Sequence, residues 1–140
     1  MIKRLPLMMA VCYMLFANCS CKKAIENKQH EILMDAITDG VWIVEQFFEG
    51  ATNISSEFLY FEFRFYEDGT VTSTKGNIIT NGSWAGDMSN FSITSQFPGA
   101  TDALKKLNGV WQIKESYWDY VKAEMQTPGG INVLHLRKKP

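Results

Sequence analysis

The sequence predicts an all-β domain of about eight short strands, an antiparallel meander that closes on itself. A short helix precedes it, and one helical insert falls near residues 101–108. Three observations carry this. In the stretch 58–66, Leu59, Phe61, Phe63 and Phe65 alternate with Phe58, Tyr60, Glu62, Arg64 and Tyr66, a period of two that only an extended strand puts on two faces. Asp68-Gly69 then separates this run from the β-branched return 70–74, a strong short-range hairpin signal. Further turn signals recur at 75–77, 86–90 and 127–130, so neighbouring strands should pair antiparallel. A meander of this size removes its exposed edges by closing.

The elements run in order from the N-terminus. Residues 31–37 carry Ile32, Leu33, Ala36 and Ile37 at helical spacing, with Asp39-Gly40 as the stop. Such a helix should plug one end of the barrel. Residues 41–48 read as the first strand, with Trp42 and Val44 on one face. The adjacent Phe47 and Phe48 break its alternation and suggest a bulge or strand end. A polar loop, 49–56, leads to the hairpin. Residues 78–85 form the next strand, containing Gly82-Ser83-Trp84, and Phe91, Ile93 and Ser95 share a face of another. Phe97-Pro98-Gly99 ends that strand, since proline cannot continue a ladder. Thr101 can cap a helical turn whose stripe is Ala103, Leu104 and Leu107. Strands are expected at 110–115, with Trp111 and Ile113 on one face, at 117–125 and at 131–136, before the basic tail Arg137-Lys138-Lys139.

The first twenty residues read as an address. Lys3 and Arg4 precede an apolar run, 5–17, that is too short to span a bilayer as a stable helix. The run ends in Asn18-Cys19-Ser20-Cys21-Lys22-Lys23, which resembles the lipobox of bacterial lipoproteins, where a cysteine is acylated and becomes the new N-terminus. Ser20 favours Cys21 over Cys19, although Asn18 stands where an aliphatic residue is usual. On this reading 1–20 is a lipoprotein signal peptide, 21–30 a polar tether, and 31–140 the barrel domain. The protein would be exported and lipid-anchored through Cys21 in the bacterial envelope, at the outer membrane. Multiple acyl chains anchor firmly, at about 0.8 kcal/mol per buried methylene.

Composition narrows the function. The formal net charge is −1, which provides no electrostatic case for nucleic acid. All three cysteines lie in the first 21 residues, so the domain has neither disulfides nor a thiolate site. His30 and His135 are the only histidines and lack partners at metal-ligand spacing. There is no G-x-S-x-G and no phosphate-cradling glycine loop. No catalytic residue, metal or cofactor is therefore expected.

With the strands placed, the chain resembles the lipocalin-like domains of small bacterial lipoproteins. The likeness rests on Gly40-Val41-Trp42-Ile43-Val44, the hairpin F-x-F-x-x-x-x-G-T-V from Phe61 with its Gly69-Thr70-Val71, Gly82-Ser83-Trp84, Phe91-Ser92-Ile93, and Leu104-x-x-Leu-x-x-x-Trp111-x-Ile113. It spans residues 33 to about 136, and it implies a calycin barrel that holds a small apolar molecule without catalysis. The barrel-lining candidates are Trp42, Val44, Phe61, Phe63, Phe65, Trp84 and Trp111. Their bulk favours a filled interior over a deep pocket, leaving a shallow cleft at the mouth as the open alternative. Tyr117, Trp118 and Tyr120 form a second cluster, read as strand residues of which one set must face outward. Such aromatics can meet an envelope protein or glycan, the alternative function for a filled barrel.

Overall fold

The structure, a computed structural model, describes residues 5–100 and 103–140, with side chains from residue 21 onward except residue 26. Helix α1, Leu5–Thr38, is followed by strands β1 (Trp42–Glu49), β2 (Thr52–Asn53), β3 (Phe61–Phe65), β4 (Thr70–Lys75) and β5 (Ile78–Asp87). Then come β6 (Ser92–Gln96), β7 (Gly109–Tyr117), β8 (Tyr120–Thr127) and β9 (Gly130–Lys138). Every pairing is antiparallel, in the order β2-β1-β3-β4-β5-β6-β7-β8-β9, and β1 also pairs with β9. That pairing runs from Trp42↔Lys138 to Glu49↔Asn132 and closes β1 and β3–β9 into an eight-stranded barrel. The join between β1 and β3 is narrow, with Trp42↔Phe63 in register.

The all-β barrel expected from alternation and turns is thus present, and the structure moves several boundaries. α1 is 34 residues long, well beyond the expected 31–37. Residues 1–4 of the expected leader lie outside the described residues, and 5–20 are described as backbone alone. Residues 21–30, read as a polar tether, lie within α1: they contain no glycine or proline, and Ala, Lys and Gln are good helix formers. The β1 bulge falls between Val44 and Gln46, earlier than Phe47-Phe48. It flips the alternation so that Phe47 turns inward.

The long aromatic strand also starts later than expected. Ser55–Phe58 is a 3₁₀ turn, and Tyr60 adopts φ 69°, a left-handed kink before β3. Phe58 is therefore buried while Leu59 is exposed, the reverse of strict alternation from residue 58, and Tyr60 stays exposed. The 3₁₀ turn Ala103–Leu107 fills the place of the helical insert; its proposed cap, Thr101, lies outside the described residues. Tyr117 and Tyr120 pair across a two-residue turn at Trp118-Asp119. The expected strand 117–125 is therefore the end of one strand and the start of the next.

A run of rings occupies the barrel. Phe47, 0% exposed, stacks on Phe58 with centroids 5.0 Å apart and meets Trp111 edge-on at 5.7 Å. Phe61, Phe63 and Phe97 continue the run at 6.2–6.3 Å steps. Phe97 reaches in from the loop after β6 because Gly82 has no side chain: a Cβ there would lie 2.8 Å from the Phe97 ring. Both ends are covered. The two 3₁₀ turns bury Phe58, Leu104 and Leu107 at one end, where Lys106 bridges Glu57 at 2.9 Å and Glu49 at 3.2 Å. α1 lies over the other end, burying Leu33 and Ile37, with Leu33 3.7 Å from the position a Gly86 Cβ would take.

Three indoles tie these pieces together. Trp42 Nε1 donates to the Ile37 carbonyl at the end of α1, Trp84 Nε1 to Tyr66 in the β3–β4 turn, and Trp111 Nε1 to Leu107, each at 2.9 Å. A buried Trp needs such a partner for its N–H. Here each bond also joins a covering element to the barrel wall.

Candidate functional site

The end of the barrel under α1 also receives the β5–β6 and β7–β8 turns, because alternate hairpins of a meander share an end. α1 crosses it without closing it, leaving a cleft of about 280 Å³ between helix and rim. The helix contributes Gln29, Ile32, Leu33, Ala36 and Ile37, and the strands contribute Trp42, Ile113 and Val121. The end of β7 contributes Ser116 and Tyr117, and the turns contribute Met88, Phe91 and Trp118. Trp42, Leu33 and Ile113 are buried, whereas Ile32, Phe91, Tyr117 and Trp118 stay exposed, the last two at 66% and 56%. Large apolar side chains left in water around a concave apolar floor mark a binding surface more often than scattered exposure does. Phe91 reaches the rim through a left-handed backbone, φ 49°, just before β6.

A wider hollow of about 620 Å³ crosses the outer face of β7 and β8, along Val110, Gln112, Lys114, Glu124 and Gln126. Its Lys114 and Glu124 form an ion pair at 3.9 Å. This is an alternating solvent face with a more polar lining than the mouth cleft.

One cation stands at the edge of the mouth cleft. The Lys138 ammonium lies 4.2 Å from the Trp118 ring centroid and 5.2 Å from that of Trp42. Its side chain is only 11% exposed and pairs with Asp39 at 3.1 Å, whose own side chain is 59% exposed. Cation–π attraction strengthens as the cation is desolvated, so this lysine holds the turn, the helix end and β9 together. On the outer wall beside it, Tyr120 and His135 share a hydrogen bond of 3.0 Å, and the Arg137 guanidinium stacks 4.9 Å over the Tyr120 ring. Arg137 also binds Glu45 at 2.9 Å. Burial, then Lys122, pushes the His135 imidazole below its ordinary value, and burial raises the Tyr120 phenol.

The sequence-derived candidates divide between two places. Trp42 lines the cleft. Phe61, Phe63, Trp84 and Trp111 are buried in the filled interior, with Val44 and Phe65 packed at its margin. Phe65 meets Trp84 edge-on at 5.5 Å. Tyr117 and Trp118 belong to the cleft, while Tyr120 faces the outer wall with His135. Cys21 is exposed on α1. Met88, Phe91, Gln29 and Lys138 were not among the site residues that the sequence suggested. The first three sit beside turn or helix positions whose role depends on where α1 crosses. Lys138 reads as an ordinary tail residue. Among the described residues no three His, Cys, Asp or Glu side chains converge as metal ligands. No helix among them is long and apolar enough to cross a membrane.

Comparison with known proteins bears on the fold. No family model matches the chain, and no curated protein does. The chain is similar to the crystal structure of a DUF4847 family protein from Bacteroides vulgatus ATCC 8482, with a TM-score of 0.56 and 14% identity. The match covers 77% of this chain and 99% of that one. At that identity the likeness shows the shared barrel and carries no function across.

Proposed function

We propose that this protein is a lipid-anchored, non-enzymatic, lipocalin-like protein that binds a small apolar molecule at the mouth of its barrel. The observation that carries the reading is the contrast between the two ends of the aromatic set. Phe47, Phe58, Phe61, Phe63 and Phe97 fill the interior, whereas Ile32, Phe91, Tyr117 and Trp118 remain in water around an apolar cleft. The binding place is then the cleft between helix and rim, outside the barrel axis. The lipid anchor at Cys21 rests on the residues around it, and an exposed cysteine on a helix ahead of the barrel is compatible with it. Attachment would hold the domain in the bacterial envelope, at the outer membrane. Metabolic labelling with palmitate tests the anchor, and unchanged labelling of Cys21→Ala would refute that site.

Fluorescence titration of the purified protein with the neutral apolar probe N-phenyl-1-naphthylamine tests the cleft, alongside native mass spectrometry for a co-purifying ligand. Trp118→Ala should weaken probe binding about five- to tenfold, the loss expected for one stacking aromatic wall. Identical binding by Trp118→Ala and Phe91→Ala would refute the site.

A second reading is favoured by the exposure of Trp118 in a two-residue turn and of Tyr117 at the strand end beside it. There they can anchor an envelope protein or a glycan, as exposed aromatics do at interfaces. Recovery of the same partners by wild type and Trp118→Ala in an envelope pull-down would count against it.

A further inference from the structure

We propose that the mouth cleft takes amphiphiles with one anionic end, a carboxylate on an apolar body, and that Lys138 receives this end in place of Asp39. The proposal rests on the reading that the cleft binds a small apolar molecule, and it names the chemistry of that molecule.

Two of the cleft's aromatic walls, Trp42 and Trp118, are the rings against which the Lys138 ammonium sits. The lysine is nearly buried, so its charge requires an anionic partner. The partner present is Asp39, an exposed carboxylate one residue beyond α1. That position is unfavourable for an anion, because the C-terminal end of a helix carries partial negative charge and favours cations. The Asp39 side chain is 59% exposed, so its carboxylate regains water when another anion takes its place at Lys138. Exchanging one carboxylate for another at Lys138 is therefore close to neutral, and burial of the ligand's apolar body supplies the net attraction. The nearby charges leave Lys138 available. Arg137 is engaged by Glu45 and Asp119, and Lys139 by Glu62. The other polar cleft residues, Gln29 and Ser116, are neutral.

The test is competition against N-phenyl-1-naphthylamine by dodecanoate and by dodecanol, which share a chain length and differ in charge. Wild type should prefer dodecanoate by about tenfold, the scale of one charge-assisted hydrogen bond. Lys138→Met keeps the aliphatic stem and should make the two equal, whereas Lys138→Arg should retain the preference. Asp39→Asn removes the competitor and should widen it. Equal affinities in wild type, or a preference that survives in Lys138→Met, would overturn the proposal while leaving the cleft as a ligand site. A loss of preference in Asp39→Asn equal to that in Lys138→Met would also overturn it, because the ion pair would then be purely structural. Failure of both ligands to displace the probe would overturn the cleft reading and this proposal together. Binding to vesicles containing anionic lipid, without binding to monomeric dodecanoate, would assign the patch to a membrane surface and overturn it as well.

Discussion

Phe97→Ala measures whether the barrel interior is filled. The ring is 2% exposed, meets Phe63 edge-on at 6.3 Å, and lies over Gly82, which has no side chain to move into the vacated space. The Phe97 backbone N–H stays bonded to Asn108 Oδ1 at 2.6 Å, so the loop keeps its attachment and the loss is one of packing. Removing a phenyl ring leaves roughly 100 Å³, and at about 24 cal/mol per Å³ the void costs ~2.4 kcal/mol. The lost transfer free energy adds about 2 kcal/mol. The sum, about 4–5 kcal/mol, falls at the upper part of the range for Phe→Ala. It is a large share of the roughly 5–15 kcal/mol that holds most domains together. Urea unfolding should show the lower midpoint with an unchanged slope. Benzene should then raise the Tm of the variant more than that of wild type, as a dry apolar cavity binds such a guest. A loss below about 1.5 kcal/mol, or an equal benzene effect on wild type, would refute the reasoning. The interior would then already have room, and the barrel axis would return as a ligand site.

Other substitutions address the remaining supports. Gly82→Ala should destabilise by about 1–3 kcal/mol through overpacking against the Gln96 carbonyl and the Phe97 ring, measured by the same urea titration. Trp84→Phe keeps the edge-on contact with Phe65 but loses the bond to the Tyr66 carbonyl, which Gly69 N–H still serves. The cost should be about 1–2 kcal/mol, with faster amide exchange confined to the β3–β4 turn. His135 is held below its ordinary value by burial and Lys122, so the unfolded chain binds the proton more readily. Stability should therefore rise with pH through the window below about 6.5 and fall as pH drops through the folded-state value. His135→Asn, whose amide can still share a hydrogen bond with Tyr120, should flatten that slope in pH-dependent urea unfolding.

The sequence made the barrel legible because period-two alternation and turn chemistry are local signals. Phe61 and Phe63 point inward as alternation requires. In the β3–β4 hairpin, Asp68 accepts from Thr70 N–H at 2.9 Å and Gly69 adopts φ 88°, the chemistry that Asp-Gly announces. Alternation failed where the backbone leaves the strand. Tyr60 in a left-handed conformation and the β1 bulge each reverse which neighbour is buried, and neither has a signal in residue type alone. Tyr117 to Tyr120 misled for a related reason. Aromatic residues suit strands, but Trp118-Asp119 is the turn. The cleft was beyond local reading because its walls lie far apart in sequence, from Gln29 to Val121. They meet only because α1 crosses one particular end of the barrel.

That crossing also explains why the binding surface lies outside the axis. Trp42 faces the barrel wall, bonds the end of α1 through Nε1 and stands beside Lys138. One residue thus fixes the helix and floors the cleft. Had the helix lain squarely over the opening, Ile32, Phe91 and Trp118 would have been covered, and burying them would have added stability at about 25 cal/mol per Å². Their exposure is a stabilisation that the isolated fold forgoes. A bound apolar molecule recovers it, and because such a ligand binds the folded chain alone, it must raise the unfolding midpoint with the logarithm of its free concentration once that exceeds Kd.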